Sequence, residues 1–81
     1  MKRFTHSFVN WTLTQDDRLM LTHVDTHGTD LDDFLCNASI SIEDWHGNAM
    51  DGWNLEDLSK RDHDAVVELF VEYLNQESDL D

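Results

Sequence analysis

The sequence contains no proline, three glycines, a single cysteine and only five lysines and arginines among its 81 residues. One cysteine excludes an intramolecular disulfide and a cysteine-based zinc site. So few basic residues exclude direct binding to nucleic acid or to an anionic membrane, because both require a basic surface. No segment approaches the ~18 continuous apolar residues of a membrane span, and residues 1–7 lack the apolar run of a signal peptide. We therefore expect a cytoplasmic protein.

Acidic residues dominate the composition: 18 Asp and Glu against five Lys and Arg give a net charge of −13 and a pI near 4.3. A chain of this length buries only ~60% of its unfolded surface and has room for one small core. Three Trp and four Phe supply apolar side chains for that core and argue against a disordered chain. We predict a single domain over residues 1–81, with residues 79–81 frayed.

Two segments near the start of the chain alternate in character from one residue to the next, as strands do. Residues 4–13 and residues 18–25 have this pattern and are joined by a few polar residues, which predicts a β-hairpin. In the first segment, strict alternation puts Phe4 and Phe8 on one face and Trp11 on the other. Apolar residues on both faces leave open a homodimer in which a second subunit covers one of them.

The most regular alternation lies further along, in residues 34–43, and predicts a third strand with one buried face. Cys36 falls on the apolar side of this strand, so we predict that it is a core residue rather than a nucleophile. Residues 26–30 are a predicted loop, and so are residues 45–54, which contain two glycines and two asparagines.

The last part of the chain has the pattern of an amphipathic helix. Ser59 followed by Asp62 resembles a capping box, with Asp in place of the usual Glu. Apolar residues then recur at i, i+1, i+4, i+5, i+8 and i+9, which predicts a helix from about residue 60 to about residue 76. Its predicted inner face consists of Ala65, Val66, Leu69, Phe70, Tyr73 and Leu74. The predicted fold is therefore α+β: a three-stranded antiparallel sheet with one C-terminal helix packed on it.

The chain has no pattern typical of a catalytic or metal site. His23 and His27 flank the predicted end of a strand, whereas a metal needs three or four converging ligands. Asp30, Asp32 and Asp33 lack the glycine and the closing Glu of an EF-hand calcium loop. Neither a nucleophile elbow nor a glycine-rich phosphate loop occurs. We predict no metal, no cofactor and no enzymatic activity.

The charge is distributed unevenly along the chain. Residues 1–18 carry three basic and two acidic side chains, a net charge of +1, whereas residues 19–81 carry two basic and sixteen acidic ones, a net charge of −14. On the predicted helix, Asp64, Glu68 and Glu72 form one stripe with a spacing of ~6 Å, close to two phosphate steps of ~3.4 Å along a nucleic-acid strand. Solubility needs a net charge of only about 2–8. We therefore predict that the acidic face has a function.

In this respect the chain resembles the small acidic proteins that phages use as DNA mimics, including anti-restriction and anti-CRISPR inhibitors. The resemblance is carried by acids on the predicted helix and in or beside the predicted loops, namely Asp30, Asp32, Asp33, Glu43, Asp44, Asp51, Asp62, Asp64, Glu68 and Glu72. These inhibitors share no common sequence or fold, so the resemblance consists of small size and acidic character over most of the chain and includes no diagnostic motif. It implies a binding protein that inhibits a basic nucleic-acid-binding protein or complex, such as a CRISPR effector or restriction nuclease, by occupying its cationic surface.

Nine of these acids are the predicted partner-binding residues: Asp30, Asp32, Asp33, Glu43, Asp44, Asp51, Asp64, Glu68 and Glu72. An antitoxin or immunity-type protein that neutralises a basic toxin or nuclease would use the same charge, and this alternative stays open. Trp45 and Trp53 fit two interpretations as well. They are either hydrophobic anchors of an interface or plugs that close the open end of the sheet.

Overall fold

Three antiparallel strands in sequence order form the sheet of this protein. A computed structural model describes residues 3–27 and 30–79. Its elements are β1 (Phe4–Thr12), β2 (Leu19–Thr26), α1 (Leu31–Asn37), β3 (Ser39–Asp44), a 3₁₀ turn (Leu55–Asp57) and α2 (Lys60–Asp79). Both helices share one apolar core with the sheet and cover one of its faces. The predicted α+β class, with a three-stranded antiparallel sheet and a C-terminal helix, is confirmed.

A β-bulge in β1 brings its aromatic residues to one face of the sheet. The pairing of β1 with β2 shifts register around Asn10, whose φ of 58° lies in the left-handed region. Asn enters this region more readily than most other residues. Between Ser7 and Trp11 the pairing advances by four residues in β1 but by only two in β2, so β1 has two extra residues here. Trp11 packs against the core together with Phe4 and Phe8, and Val9 is left 84% exposed. The predicted second apolar face of β1 is therefore wrong.

A short helix replaces the first half of the predicted third strand. The prediction of a strand from residue 34 is wrong, because α1 occupies this segment and β3 begins at Ser39. Asp30 caps α1, since its side chain accepts a hydrogen bond from the Asp33 N–H at 2.8 Å. Acids in the first turn also interact favourably with the positive end of the helix dipole. Cys36 is exposed on α1, so its predicted core position is wrong as well.

Three phenylalanines join the helices to the sheet. Phe34 of α1 stacks on Phe70 of α2 with ring centroids 4.2 Å apart and ring planes 10° from parallel. Phe4 of β1 meets both of these rings edge-on, with centroid distances of 6.0 Å and 5.5 Å. Both arrangements are favourable for aromatic quadrupoles. The buried core around them also contains Leu13, Leu19, Leu21, Val24, Ile42, Leu55, Leu58 and Val66.

The apolar face of α2 is the predicted one. Val66 and Phe70 are fully buried, and the other predicted inner-face residues are half-buried, namely Ala65, Leu69, Tyr73 and Leu74. The helix continues to Asp79, beyond its predicted end. Residues 80–81, part of the segment that we predict to be frayed, lie outside the described residues. Over the described part of the chain, neither helix has the length and apolar character needed to cross a membrane.

Replacing Phe70 with alanine should destabilise the protein strongly, because it removes the ring that contacts both Phe4 and Phe34. Truncation of a buried Phe costs about 3–5 kcal/mol, a large share of the stability of a small domain. Val71→Ala is the matched control, since Val71 is the next residue of the same helix and is 38% exposed. Urea unfolding followed by circular dichroism measures both variants. Equal unfolding midpoints would contradict the assigned core.

Candidate functional site

Six of the nine predicted partner-binding acids lie in the layer formed by the two helices. We call them the helical acids: Asp30, Asp32, Asp33, Asp64, Glu68 and Glu72. The three on α2 are exposed and recur at four-residue intervals along one line, as predicted. The other three cap α1 or lie in its first turn, and all three are exposed. The sequence pattern did not reveal that this second set belongs to a helix.

Apolar side chains are exposed in the same layer as the helical acids. Leu31 and Leu35 of α1 are 37% and 42% exposed, and Val71 of α2 is 38% exposed. The two helices are in contact through Phe34 and Phe70, so these apolar residues and the helical acids belong to one helical layer. The outer surface of that layer is therefore acidic with an apolar component.

The other three predicted acids, Glu43, Asp44 and Asp51, belong to β3 and to residues 44–51, which we call the β3 turn. The Asp44 carboxylate accepts hydrogen bonds from the backbone N–H groups of His46 and Asn48, both at 2.9 Å, and from Asn48 Nδ2 at 3.2 Å. These bonds, the one from the Asn48 N–H first, lower the pKa of Asp44. The carboxylate of Asp44 therefore shapes the turn, and most of its hydrogen-bonding capacity is already used.

The nine predicted acids do not form one continuous surface. Glu43 alternates with the buried Ile42 along β3, and its Cα lies opposite Met20 of β2. Because successive strand residues point to opposite faces, Glu43 points away from the helices that cover Ile42. The structure thus brings the helical acids together in one layer and places Glu43 on the other face of the sheet.

The arginines of the hairpin are paired with the hairpin's own acids. Arg3 Nε donates to Asp25 Oδ1 at 2.8 Å, and Arg3 Nη2 makes a second contact to Asp25 Oδ2. The hydrogen bond from Arg3 is the main cause that lowers the pKa of Asp25 to about 2. Arg18 Nε lies 3.2 Å from Asp16 Oδ1 and likewise lowers the pKa of that carboxyl. These two cations are therefore not available to the predicted partner-binding acids.

In the part of the chain that the structure describes, no neighbouring lysine or arginine compensates the negative charge of those nine acids. Within residues 3–27 and 30–79, none of them forms an ion pair with Lys or Arg, and Asp64 has a His63 Nδ1 atom 3.4 Å from its Oδ1. Like charges concentrated on one surface create a negative potential that attracts cationic groups from a distance. Six of the nine predicted acids lie in the helical layer, so we expect the negative potential to be strongest there.

Asp62 has a structural role that the sequence pattern did not reveal. Its side chain is buried, with only 1% of the residue exposed. One carboxylate oxygen accepts hydrogen bonds from the Thr14 N–H at 2.7 Å, from Thr14 Oγ1 at 2.9 Å and from Ser59 Oγ at 3.1 Å. Ser59 Oγ in turn accepts from the Asp62 N–H at 3.3 Å, which is one half of the predicted capping box. Asp62 ties the start of α2 to the hairpin and does not belong with the surface acids.

The two tryptophans of the predicted 45–54 loop have different environments. Trp53 is half-buried and packs against the core, as the plug interpretation expects. Trp45 is 66% exposed in the β3 turn, as the interface interpretation expects. Each of the two interpretations therefore describes one of the two residues.

Four of the five histidines contact an aromatic, hydroxyl or carboxylate side chain. His23 Nδ1 lies 3.4 Å from Ser7 Oγ on the adjacent strand, and His46 stacks on Trp45. In the part of the chain that the structure describes, no three His, Cys, Asp or Glu side chains are arranged to hold a metal ion. What the helical layer offers chemically is a fixed anionic surface.

Replacing Asp62 with alanine should cost about 1–3 kcal/mol of stability, because the Thr14 N–H would lose its acceptor in a partly buried position. Asp62→Asn should cost less, since the amide oxygen can still accept one of these hydrogen bonds. Asp64→Ala is the matched control, because Asp64 is exposed two residues further along the same helix. Thermal melts of the three variants compare them. A stable Asp62→Ala variant would show that the carboxylate does not hold α2 to the hairpin.

Comparison with known proteins gives no match for this chain: no protein-family model, no characterised protein and no solved structure resembles it at a significant level. No functional residue is therefore transferred from a relative. The function has to be inferred from the charges, contacts and exposed surfaces of the chain itself.

Proposed function

We propose that this protein is an acidic inhibitor that occupies the cationic nucleic-acid-binding surface of a protein or complex, such as a CRISPR effector or restriction nuclease, as a nucleic-acid mimic. The observation that carries the proposal is the layer of helical acids. They lack Lys or Arg partners within the described residues, while the hairpin's arginines are paired elsewhere. The layer lies in a segment, residues 19–81, whose net charge is −14.

The spacing of the helical acids on α2 supports mimicry of a phosphate backbone. Four residues of helix advance by ~6 Å, which is close to two axial phosphate steps of ~3.4 Å each along one nucleic-acid strand. The helix that carries this row is held in place by the buried Phe70 and by the hydrogen bonds of Asp62. A row of anions on a rigid support loses little conformational freedom on binding, which favours affinity.

Binding alone performs the proposed function. The negative potential of the helical layer would steer the protein toward a cationic groove, and its bulk would then exclude nucleic acid from that groove. Neither a cofactor nor a catalytic residue takes part in this scheme. We place the activity in the cytoplasm of the cell whose nucleic-acid-processing complex is blocked.

A second candidate function is an antitoxin or immunity-type protein that neutralises a basic toxin or nuclease. The observation that favours it is the exposure of Leu31, Leu35 and Val71 in the same layer as the helical acids. The buried centres of protein–protein interfaces are apolar and depleted of charge, and a phosphate mimic has no need of such residues. This function would be specific to one small basic protein and would leave large nucleic-acid-binding complexes unaffected.

Neutralising the stripe on α2 should abolish inhibition and leave folding intact. The triple variant is Asp64→Asn, Glu68→Gln, Glu72→Gln. Like charges at four-residue spacing destabilise a helix by about 0.2–0.5 kcal/mol per pair, so the melting temperature should stay constant or rise slightly. DNA cleavage by CRISPR effectors and restriction nucleases, assayed with wild type and with the variant, gives the readout.

The control is a second triple variant that has the same net charge as the first but carries its substitutions on β1. Three exposed residues of β1 are replaced by lysine: Ser7, Val9 and Thr12. Both triple variants have a net charge three units less negative than wild type, but only the first removes helical acids. Equal loss of inhibition by the two variants would mean that overall charge, and not the helical layer, is responsible.

A further inference from the structure

The β3 turn is held in a defined shape by hydrogen bonds to β3. The Met50 N–H donates to the Ile42 carbonyl at 2.8 Å, and the Asp44 N–H donates to the Asn48 carbonyl at 3.0 Å. Gly47 has a φ of 87°, a backbone conformation that side chains rarely allow. The Asp44 carboxylate also accepts hydrogen bonds from the backbone of the turn. These hydrogen bonds hold the residues at the tip of the turn in place.

Trp45 is exposed on this rigid turn. It is 66% exposed, whereas Trp11 and Trp53 pack against the core. The His46 ring lies over it, with ring centroids 3.7 Å apart and planes 34° from parallel. A small protein that leaves one of its largest apolar side chains in water forgoes a substantial hydrophobic gain. The open side of this indole therefore offers a preformed aromatic surface.

The charges around Trp45 indicate what this surface would bind. Glu43 lies two residues before it, and the sequence contains no Lys or Arg between Arg18 and Lys60. An aromatic face attracts cations through its quadrupole, and nearby carboxylates add to that attraction. A planar guanidinium can stack on an indole, whereas a compact, strongly hydrated ammonium stacks less well.

We propose that Trp45 is a stacking platform for an arginine side chain of a binding partner, and that the Glu43 carboxylate near the same turn adds to the attraction. The proposal rests on the proposed function only in that the partner is cationic. It concerns a different part of the molecule, because Glu43 lies on the face of the sheet opposite to the helical acids. The site selects arginine over lysine through stacking on the Trp45 indole, whereas the attraction of carboxylates alone would not depend on Trp45.

Titration with ten-residue peptides of arginine or of lysine tests this proposal, with binding followed by nitrogen-15 NMR. Wild type should bind the arginine peptide about two- to five-fold more tightly than Trp45→Ala does, and the Trp45 indole N–H signal should shift. The lysine peptide should bind the two proteins equally. Trp45→Phe should keep part of the arginine affinity, because Phe offers a weaker aromatic face.

Val9→Ala is the matched control, since Val9 is an 84% exposed apolar residue on β1. It should keep the full affinity for the arginine peptide. The Trp45 proposal would be contradicted if Trp45→Ala kept the full affinity for the arginine peptide, or if Val9→Ala lost as much affinity as Trp45→Ala. Neither result would contradict the proposed function of the helical acids. If neither peptide binds wild type more tightly than an uncharged Gly-Ser peptide of equal length, the result would contradict both this proposal and the proposed binding of a cationic partner.

Discussion

A small apolar core has to hold together a molecule whose surface repels itself. The net charge is −13 on 81 residues, and repulsion of this kind opposes the compact state. The contact of Phe4, Phe34 and Phe70 is the centre of the packing that opposes it, because it joins β1, α1 and α2 in one place. The helical acids keep their positions only as long as these rings stay packed.

The same residue type has two roles here, and burial separates them. Asp62 is buried and hydrogen-bonded, so it joins α2 to the hairpin. Asp64, two residues later, is exposed and belongs to the surface that we propose as a nucleic-acid mimic. Asp44 is a third case, a carboxylate whose hydrogen bonds form the β3 turn and so determine how Trp45 is presented. Counting acids is therefore a poor guide to which of them bind a partner.

The sequence predicted the elements whose periodicity is long and unambiguous. α2 and the hairpin were found because their apolar patterns extend over many residues. α1 was missed because Phe34, Cys36 and the residues after them alternate as a strand would, while the helix is only seven residues long. Its signal was Asp30 as an N-cap, which is local and easily outweighed. The bulge at Asn10 and the burial of Asp62 depend on contacts between segments that are distant in the chain, which a single sequence does not display.

Competition between this protein and nucleic acid for one partner tests the central claim most directly. For a CRISPR effector or restriction nuclease that the protein inhibits, its affinity is measured at increasing concentrations of the DNA that the enzyme binds. Mimicry predicts that the apparent Kd rises linearly with the DNA concentration, because one cationic surface accepts either ligand but not both. A ternary complex of enzyme, DNA and this protein, formed with an unchanged apparent Kd, would contradict the account.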